Sequence, residues 1–521
     1  MKSLLKAAVL FVTLSSSVYS FLNAQVTDSV GYAKDFDLLP QKQIWLQTTN
    51  PIAFSRIDEQ GMNSELSYNC TTGSYKYISD PQSQGDGKIR VDGFKQINKL
   101  HLYGGFSYGI SRLHQQKWKD VLLLSPRNPF VLTDSIGGNY DNESFEIRGA
   151  ASSFVNDRLQ WGLAVTYIGG TSSDNNDPRP SIDAMRFSVH PGIRYQWTSH
   201  WGIGIDARYE RYKENISIEV LETNITHRFF YFQGLGNFYL NTGTSNTRTY
   251  NGNMYEGNIQ FDWQKNNLEN IFQLGYKQNS EESITGLLSS SSIFRSGDYV
   301  ESTLSLGNIF SIKSNDIRHS FKFNVEYSPN KGTWYDQKQV KNSDSQIVWE
   351  VYNKSVKYKS TSIISKAEYN WLKEKDGYLD YSLSGSVGFE QEDTKFLPDY
   401  FLQKYSNMQL SLAGTKMIKL PKYFSLNLTA KIGYKHNLSA NSDFNGITLA
   451  NVWTYPVYEY FTANHYQGVI GLKLSKKTRI GNAPGTIYLS LKADYVKADI
   501  ESTNFNKPHR LGLFTACGFT F

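Results

Sequence analysis

The chain has 521 residues, with 54 Lys and Arg against 48 Asp and Glu, for a formal net charge of +6. So small a charge, alternating in sign rather than clustered, leaves no footprint for nucleic acid, and two cysteines exclude a disulfide scaffold. Aromatic residues make up 14% of the chain, with 35 Tyr, 30 Phe and 10 Trp, beside 40 Gly, yet the mean hydropathy is only −0.47. Strands that alternate lipid-facing and lumen-facing residues average out in this way, so a polar mean does not exclude a membrane protein.

At the amino terminus, Lys2 and Lys6 precede an apolar run from Ala7 to Val12 and a small polar stretch, Ser15 to Ser17. This order predicts a secretory signal peptide over residues 1–24, cleaved after Ala24, with Ser20 as the alternative site. The apolar run is too short to cross a bilayer as a helix, and no later segment approaches the roughly 18 apolar residues needed. No cysteine lies near either cleavage site, so a lipid anchor is not expected.

Residues 25–62 come next, as a periplasmic or lumenal segment. It contains Ile44-Trp45-Leu46 and Asn50-Pro51-Ile52-Ala53 and is large enough to enter a lumen as a small hatch. The Asn-Pro-x-Ala stretch resembles the amino-terminal hatch of fatty-acid-transporter barrels, which implies passage of hydrophobic solutes. The segment is too short for the globular plug of a TonB-dependent receptor.

From residue 63 onward, period-2 alternation and turn signals mark eighteen candidate strands, a count good to about two. They fall near 63–70, 88–97, 100–113, 143–153, 158–169, 184–196, 201–214, 254–264, 270–281, 299–311, 318–328, 358–371, 377–390, 405–417, 423–436, 464–475, 485–497 and 509–521. Every second connection is short: 98–99, 155–157, 198–200, 265–269, 312–317, 372–376 and 418–422, with 476–484 the longest of this set. The remaining connections are longer, 215–253 most of all. Short periplasmic turns alternating with long extracellular loops predict an all-β transmembrane antiparallel up-and-down barrel spanning 63–521. In the strand at 423–436, Phe424, Leu426, Leu428, Ile432 and Tyr434 oppose Ser425, Asn427, Thr429, Lys431 and Lys435. Trp197, Trp201, Trp263, Trp371 and Tyr423 sit beside the short turns, where an aromatic girdle belongs.

If the apolar faces meet lipid, the charged faces line the lumen. Arg148, Arg186, His190, Arg194, Arg208, Glu256, Asp262, Lys322, Glu326, Lys431, Lys473 and Lys492 are the candidate lumen and selectivity residues, with Lys366 and Glu368 beside them. Charged rings of this kind select permeating solutes, and the basic lean of the strands between 143 and 214 favours anions. The same residues equally suit a lumen filled by ion pairs. In the connection 215–253, Phe229, Phe230, Tyr231, Phe232, Phe238 and Tyr239 form a candidate constriction or binding loop. Three placements are open for it: folded inward, capping the barrel, or extending strands above the membrane. The loop 115–141, with Trp118, Val121-Leu122-Leu123-Leu124 and Pro126-Arg127-Asn128-Pro129, is apolar enough to pack on something.

His436, His465 and His509 fall near the external rim, without a Gly-x-Ser-x-Gly elbow, a His-Glu-x-x-His motif or paired cysteines. No catalytic residue, metal or cofactor is expected. Cys70 and Cys517 lie on the first and last strands at different heights, Cys517 toward lipid, so two separate small hydrophobes are expected rather than a bridge. Phe519 and Phe521 close the chain on an apolar strand face and match the carboxyl-terminal signal read by the barrel-assembly machinery of Gram-negative bacteria.

Trp45-Leu-Gln-Thr-Thr-Asn-Pro-Ile52 and the closing Gly518-Phe-Thr-Phe521 resemble the outer-membrane β-barrel proteins of unknown function of Bacteroides-like Gram-negative bacteria. That resemblance spans the mature chain. It implies an outer-membrane location among lipid and an accessory role in nutrient or iron uptake beside a TonB-dependent receptor system. The expected function is a porin-like channel or accessory uptake component. The alternatives are a structural or surface-binding barrel with an occluded lumen and a transporter of hydrophobic solutes.

Overall fold

The computed structural model describes residues 39–57, 60–222, 224, 226–286, 293–375, 378–480 and 483–521. The expected signal peptide lies outside them. Among the described residues, twenty-one strands follow two short 3-10 turns. They are β1 (Gly61–Gly73), β2 (Ser83–Ile97), β3 (Leu100–Gln116), β4 (Leu132–Thr133), β5 (Gly138–Phe154), β6 (Leu159–Asp174) and β7 (Arg179–Gln196). Next come β8 (Trp201–Glu219), β9 (His227–Gly234), β10 (Asn237–Gly243), β11 (Ser245–Lys265), β12 (Leu268–Thr285), β13 (Phe294–Ser314) and β14 (Ile317–Lys341). The last are β15 (Ile347–Lys375), β16 (Tyr378–Phe396), β17 (Phe401–Lys419), β18 (Phe424–Asp443), β19 (Asn464–Ile480), β20 (Ala483–Asp499) and β21 (His509–Thr520). The described residues also include two short helices, α1 (Leu39–Lys42) and α2 (Tyr455–Thr462), the second entered through a π-helical turn, Ala450–Thr454.

All but β4, β9 and β10 belong to one 18-stranded antiparallel sheet, closed by pairing of β1 with β21. Closure gives every strand two neighbours, which satisfies the backbone where lipid cannot. Each expected strand coincides with one strand of this barrel. The turn expected at 476–484 is tighter, because β19 runs to Ile480 and β20 starts at Ala483.

The larger difference lies at the opposite end. Crossing a bilayer takes about 9–11 residues, whereas β14 has 25 and β15 has 29. Much of what was expected as loop between 328 and 358 is paired strand. Above the membrane no lipid imposes an apolar exterior, so the alternation that marks a strand fades while the backbone ladder continues.

Leu304, Leu383, Leu412, Ile432 and Ile470 are among the apolar side chains exposed on the outer wall. Trp197, Trp201 and Tyr423 are exposed beside the short turns, with Trp263 against Trp201 and Trp371 against Tyr381. A closed barrel with such a belt is an outer-membrane barrel. Along the β1–β21 seam Leu66 faces Cys517 and Cys70 faces Leu513, so the cysteines sit four pairs apart and both are free.

Candidate functional site

The lumen is filled from both ends. At the short-turn end, residues 39–57 form α1 and two 3-10 turns, Ile44–Gln47 and Pro51–Arg56. Pro51 suits the first position of its turn because it lacks the donor that would go unpaired there. Asn50 caps that turn by accepting from the Ile52 amide at 3.1 Å. Its side-chain amide reaches the carbonyls of Ile193 (3.2 Å) and Ile205 (3.3 Å) and Gln260 Oε1 (3.1 Å), bonding the hatch to three wall strands.

Thr49 donates to Asp206 at 3.0 Å, and Asp206 also meets His190 Nε2 at 2.7 Å. Trp45 lies under two guanidinium groups, Arg194 at 5.5 Å and Arg56 at 5.7 Å. Stacking of this kind is worth about 2 kcal/mol or more when desolvated. Ile52 is fully buried, in one apolar cluster with Ile44, Ile271 and Ile309. The wall is notched to receive the hatch: a Cβ on Gly162 would stand 2.6 Å from the Ile52 nitrogen, and one on Gly192 would stand 2.2 Å from Asn50 Oδ1.

At the long-loop end, residues 117–137 drop between the strands. The Leu122 and Leu123 amides donate to buried Glu214 at 2.6 and 2.8 Å. Asn128 Nδ2 donates to Glu281 at 2.8 Å, and the Ser125 amide reaches the same carboxylate at 3.3 Å. Arg248 (3.0 Å) and the Tyr250 hydroxyl (2.8 Å) both donate to the Phe130 carbonyl. Loop backbone that would otherwise be buried without partners is thus satisfied by wall side chains. Phe130 and Leu132 are fully buried among Tyr212, Ile216, Ile218, Tyr250, Tyr299 and Trp334.

The hairpin β9–β10 adds to this plug by pairing with β4, Tyr231 opposite Leu132 and Phe230 opposite Thr133. From it a row of rings crosses the mouth. Phe232 lies 4.8 Å from Trp453, Trp453 6.3 Å from Tyr77, Tyr77 5.7 Å from Phe461, and Phe461 5.4 Å from Tyr405 on the β17 wall.

Of the candidate constriction residues, Phe229, Phe230, Tyr231 and Phe232 are buried, Phe238 packs on Phe230, and Tyr239 is exposed. Of the three placements left open for 215–253, two occur together: β8 and β11 extend upward, and the hairpin between them folds inward.

The twelve candidate lumen residues all lie on the faces opposite the lipid-facing apolar side chains. They do not form one ring. Arg148 pairs with Asp92 at 3.0 Å, and Arg186 pairs with Glu210 at 3.3 Å while donating to the Leu123 carbonyl. Arg194 pairs with Asp262 at 2.5 Å, and Arg208 with Glu210 at 2.6 Å. The basic lean of these strands is therefore balanced by carboxylates on the same strand, the next one or the next but one, and Arg186 and Arg194 hold the two plugs. Glu256 accepts from Asn258 at 3.2 Å. On the other side of the barrel, Lys322 faces Glu368 across β14 and β15, and Glu326 is exposed to the lumen. Lys431 lines a cavity of about 370 Å³. Lys473, over the Tyr488 ring, lines one of about 500 Å³ beside the hatch together with Arg148, and Lys492 lines a third of about 430 Å³. Phe519 and Phe521 stack at 5.5 Å, and Phe521 exchanges both backbone bonds with Met62 at the seam.

Glu214, Glu281, Arg248, Tyr250 and the α2 segment were not anticipated. One signal for them exists in β8. Up to Tyr209 its apolar residues fall on odd positions, and from Tyr212 through Ile216 and Ile218 they fall on even ones. The apolar face changes from outside to inside, which is the pattern of a wall that leaves lipid and begins to enclose a core.

The profile of a family of unknown function, DUF6850, matches residues 54–521. The chain belongs to the DUF6850 family. That match takes in the whole DUF6850 barrel and the end of the hatch. No curated protein matched the chain. Among solved structures, the DUF6850 barrel is similar to BauA, the ferric preacinetobactin receptor of Acinetobacter baumannii, at 8% identity and a TM-score of 0.40 over 89% of this chain and 80% of that one. It is similar to a FadL homologue of Pseudomonas aeruginosa at 10% identity and a TM-score of 0.32, over 94% of each chain. FyuA, the ferric yersiniabactin uptake receptor of Yersinia pestis, matches at 10% identity and 0.38, over 88% of this chain and 80% of that one. At such identities and scores the likeness carries no ligand, partner or role across to this chain.

Proposed function

We propose that this protein is an uptake component of the outer membrane whose lumen is closed at rest, rather than an open porin-like channel. The observation that carries this reading is the double plug: a hatch locked to three wall strands through Asn50, and an outer loop held by Glu214, Glu281 and Arg248. Buried charged groups bonded to loop backbone are costly to leave unpaired, so both plugs are held positively rather than resting in place. Release of the hatch then needs a trigger. The resemblance to barrels of Bacteroides-like bacteria supplies one candidate, a neighbouring TonB-dependent receptor system. The reading includes no catalytic step.

Single-channel recording in planar bilayers tests it. Folded wild-type barrel is expected to be silent, and a variant lacking loop residues 119–135 with the hatch weakened by Asn50→Ala is expected to conduct. Steady ohmic steps from the unaltered protein would overturn the closed-lumen reading.

A further inference from the structure

On the outer wall, above the apolar belt, the strand register lines up lysines. Lys331 on β14 is directly opposite Lys359 on β15, and Lys359 is directly opposite Lys395 on β16. Lys404 on β17 joins them, opposite Asp393. All four face outward. Gly332 beside Lys331 abuts Phe130 in the lumen, and Tyr358 and Ser360 flank Lys359 on the buried side. Thr394 and Phe396 flank Lys395 in the same way, as do Gln403 and Tyr405 for Lys404. The four lysines themselves are exposed.

Like charges directly across a ladder destabilise it, and here three stand in a row. One carboxylate serves the cluster: Asp393 lies 3.8 Å from Lys395 and 3.7 Å from Lys404. Among the described residues, no ion pair is formed by Lys331 or Lys359. Asp298, the next outward acid on β13, accepts from the Tyr335 hydroxyl. Other sectors of the rim are balanced, with Arg112 on Asp141 at 2.9 Å and Arg295 on Glu282 at 3.2 Å. The height of the row matters equally. Below it the same outward faces carry Phe321, Phe323 and Tyr327 on β14, Leu383 and Val387 on β16, and Leu410 and Leu412 on β17, all exposed to lipid. The row therefore begins where acyl chains end and head groups start, and ammonium groups at that depth attract anionic lipid.

We propose that Lys331, Lys359, Lys395 and Lys404 form a binding site for a phosphorylated lipid of the outer leaflet, its phosphates on the lysines and its acyl chains on the apolar wall below. This goes beyond the closed-lumen reading and does not depend on it.

Native mass spectrometry of the full barrel in detergent tests it, with bis-phosphorylated lipid A, the same lipid stripped of phosphate, and inorganic phosphate as probes. Lipid A is expected to bind the wild type, and the Lys331→Gln/Lys359→Gln/Lys395→Gln/Lys404→Gln variant is expected to bind it about tenfold or more weakly. A variant with Arg at all four positions is expected to retain binding. Lys359→Gln alone, with its two lysine neighbours kept, is expected to give a smaller loss and serves if the quadruple variant does not fold. Equal binding by the Gln and wild-type proteins, or by phosphorylated and stripped lipid, would reduce the lysines to ordinary surface charge. Inorganic phosphate displacing lipid A at equal concentration would overturn the lipid assignment.

Discussion

Single atoms decide where the hatch sits. At Gly162 a methyl group would meet the Pro51 carbonyl carbon and the Ile52 nitrogen, both at 2.6 Å, and these are backbone atoms that cannot rotate aside. Overpacking of this kind costs about 1–3 kcal/mol, and here the cost falls on hatch docking, because the wall strand itself is unchanged. Gly162→Ala is therefore expected to expose residues 45–56 to limited proteolysis while the melting temperature of the barrel stays put. Gly149→Ala supplies the control, since a Cβ there meets nothing within 4 Å. Equal protease resistance in both variants would mean that the hatch is held by something other than its fit into the notch.

The outer loop is an element whose docking is expected to depend on pH. Asp120 is buried, accepting from the Tyr140 hydroxyl at 2.5 Å and from the Asp134 amide at 3.1 Å. Burial first, and then the Asp134 carboxylate, push its pKa well above the ordinary aspartate range, and burial raises Asp134 as well. A carboxyl with a raised folded-state pKa binds its proton more tightly when docked. Its contribution is complete below the ordinary aspartate pKa and is lost as pH rises through the raised value. Amide exchange across 118–134, corrected for intrinsic base catalysis, is thus expected to be slowest in acid and to speed up toward neutral pH. A protection factor that is flat with pH would sink this account.

This loop also marks how far the sequence could be read. Eighteen strands were legible because lipid outside and water inside impose a strict alternation, and Asn50 and Trp45 stood out in the short segment ahead of them. The plug was not legible. Its anchors Glu214, Glu281 and Arg248 lie beyond the lipid belt, where the alternation changes phase, and their partners are loop amides for the two carboxylates and a loop carbonyl for Arg248, far away in the chain, which no local pattern announces. The pairing of Arg186 with Glu210 on the next strand, and of Arg194 with Asp262 on the next but one, needed the register, which period-2 patterning alone leaves open.

At the scale of the whole molecule, closure rests on a seam between the first and last strands. The Met62 amide donates to the Phe521 carbonyl at 2.7 Å, and the Phe521 amide donates back at 3.0 Å. Deleting Phe519–Phe521 removes these bonds and the pairing of Ser64 with Phe519, leaving two strand edges unsatisfied. The fraction of chain that reaches the membrane as a heat-modifiable species on gels is expected to fall severalfold. Unchanged assembly would show that the seam closes without its last turn of ladder. The change of apolar face in β8 has a consequence for stability. Near the membrane the strands are held by a lumen that is polar and an exterior that lipid solvates, so water contributes little driving force there. Higher up, the same strands wrap Phe130, Phe229 and Tyr250 in a buried apolar core beneath an aqueous surface, as a water-soluble protein does. Urea weakens that upper core directly and reaches the lipid-facing wall far less, so one continuous set of strands carries two stabilities with different dependences on temperature and denaturant.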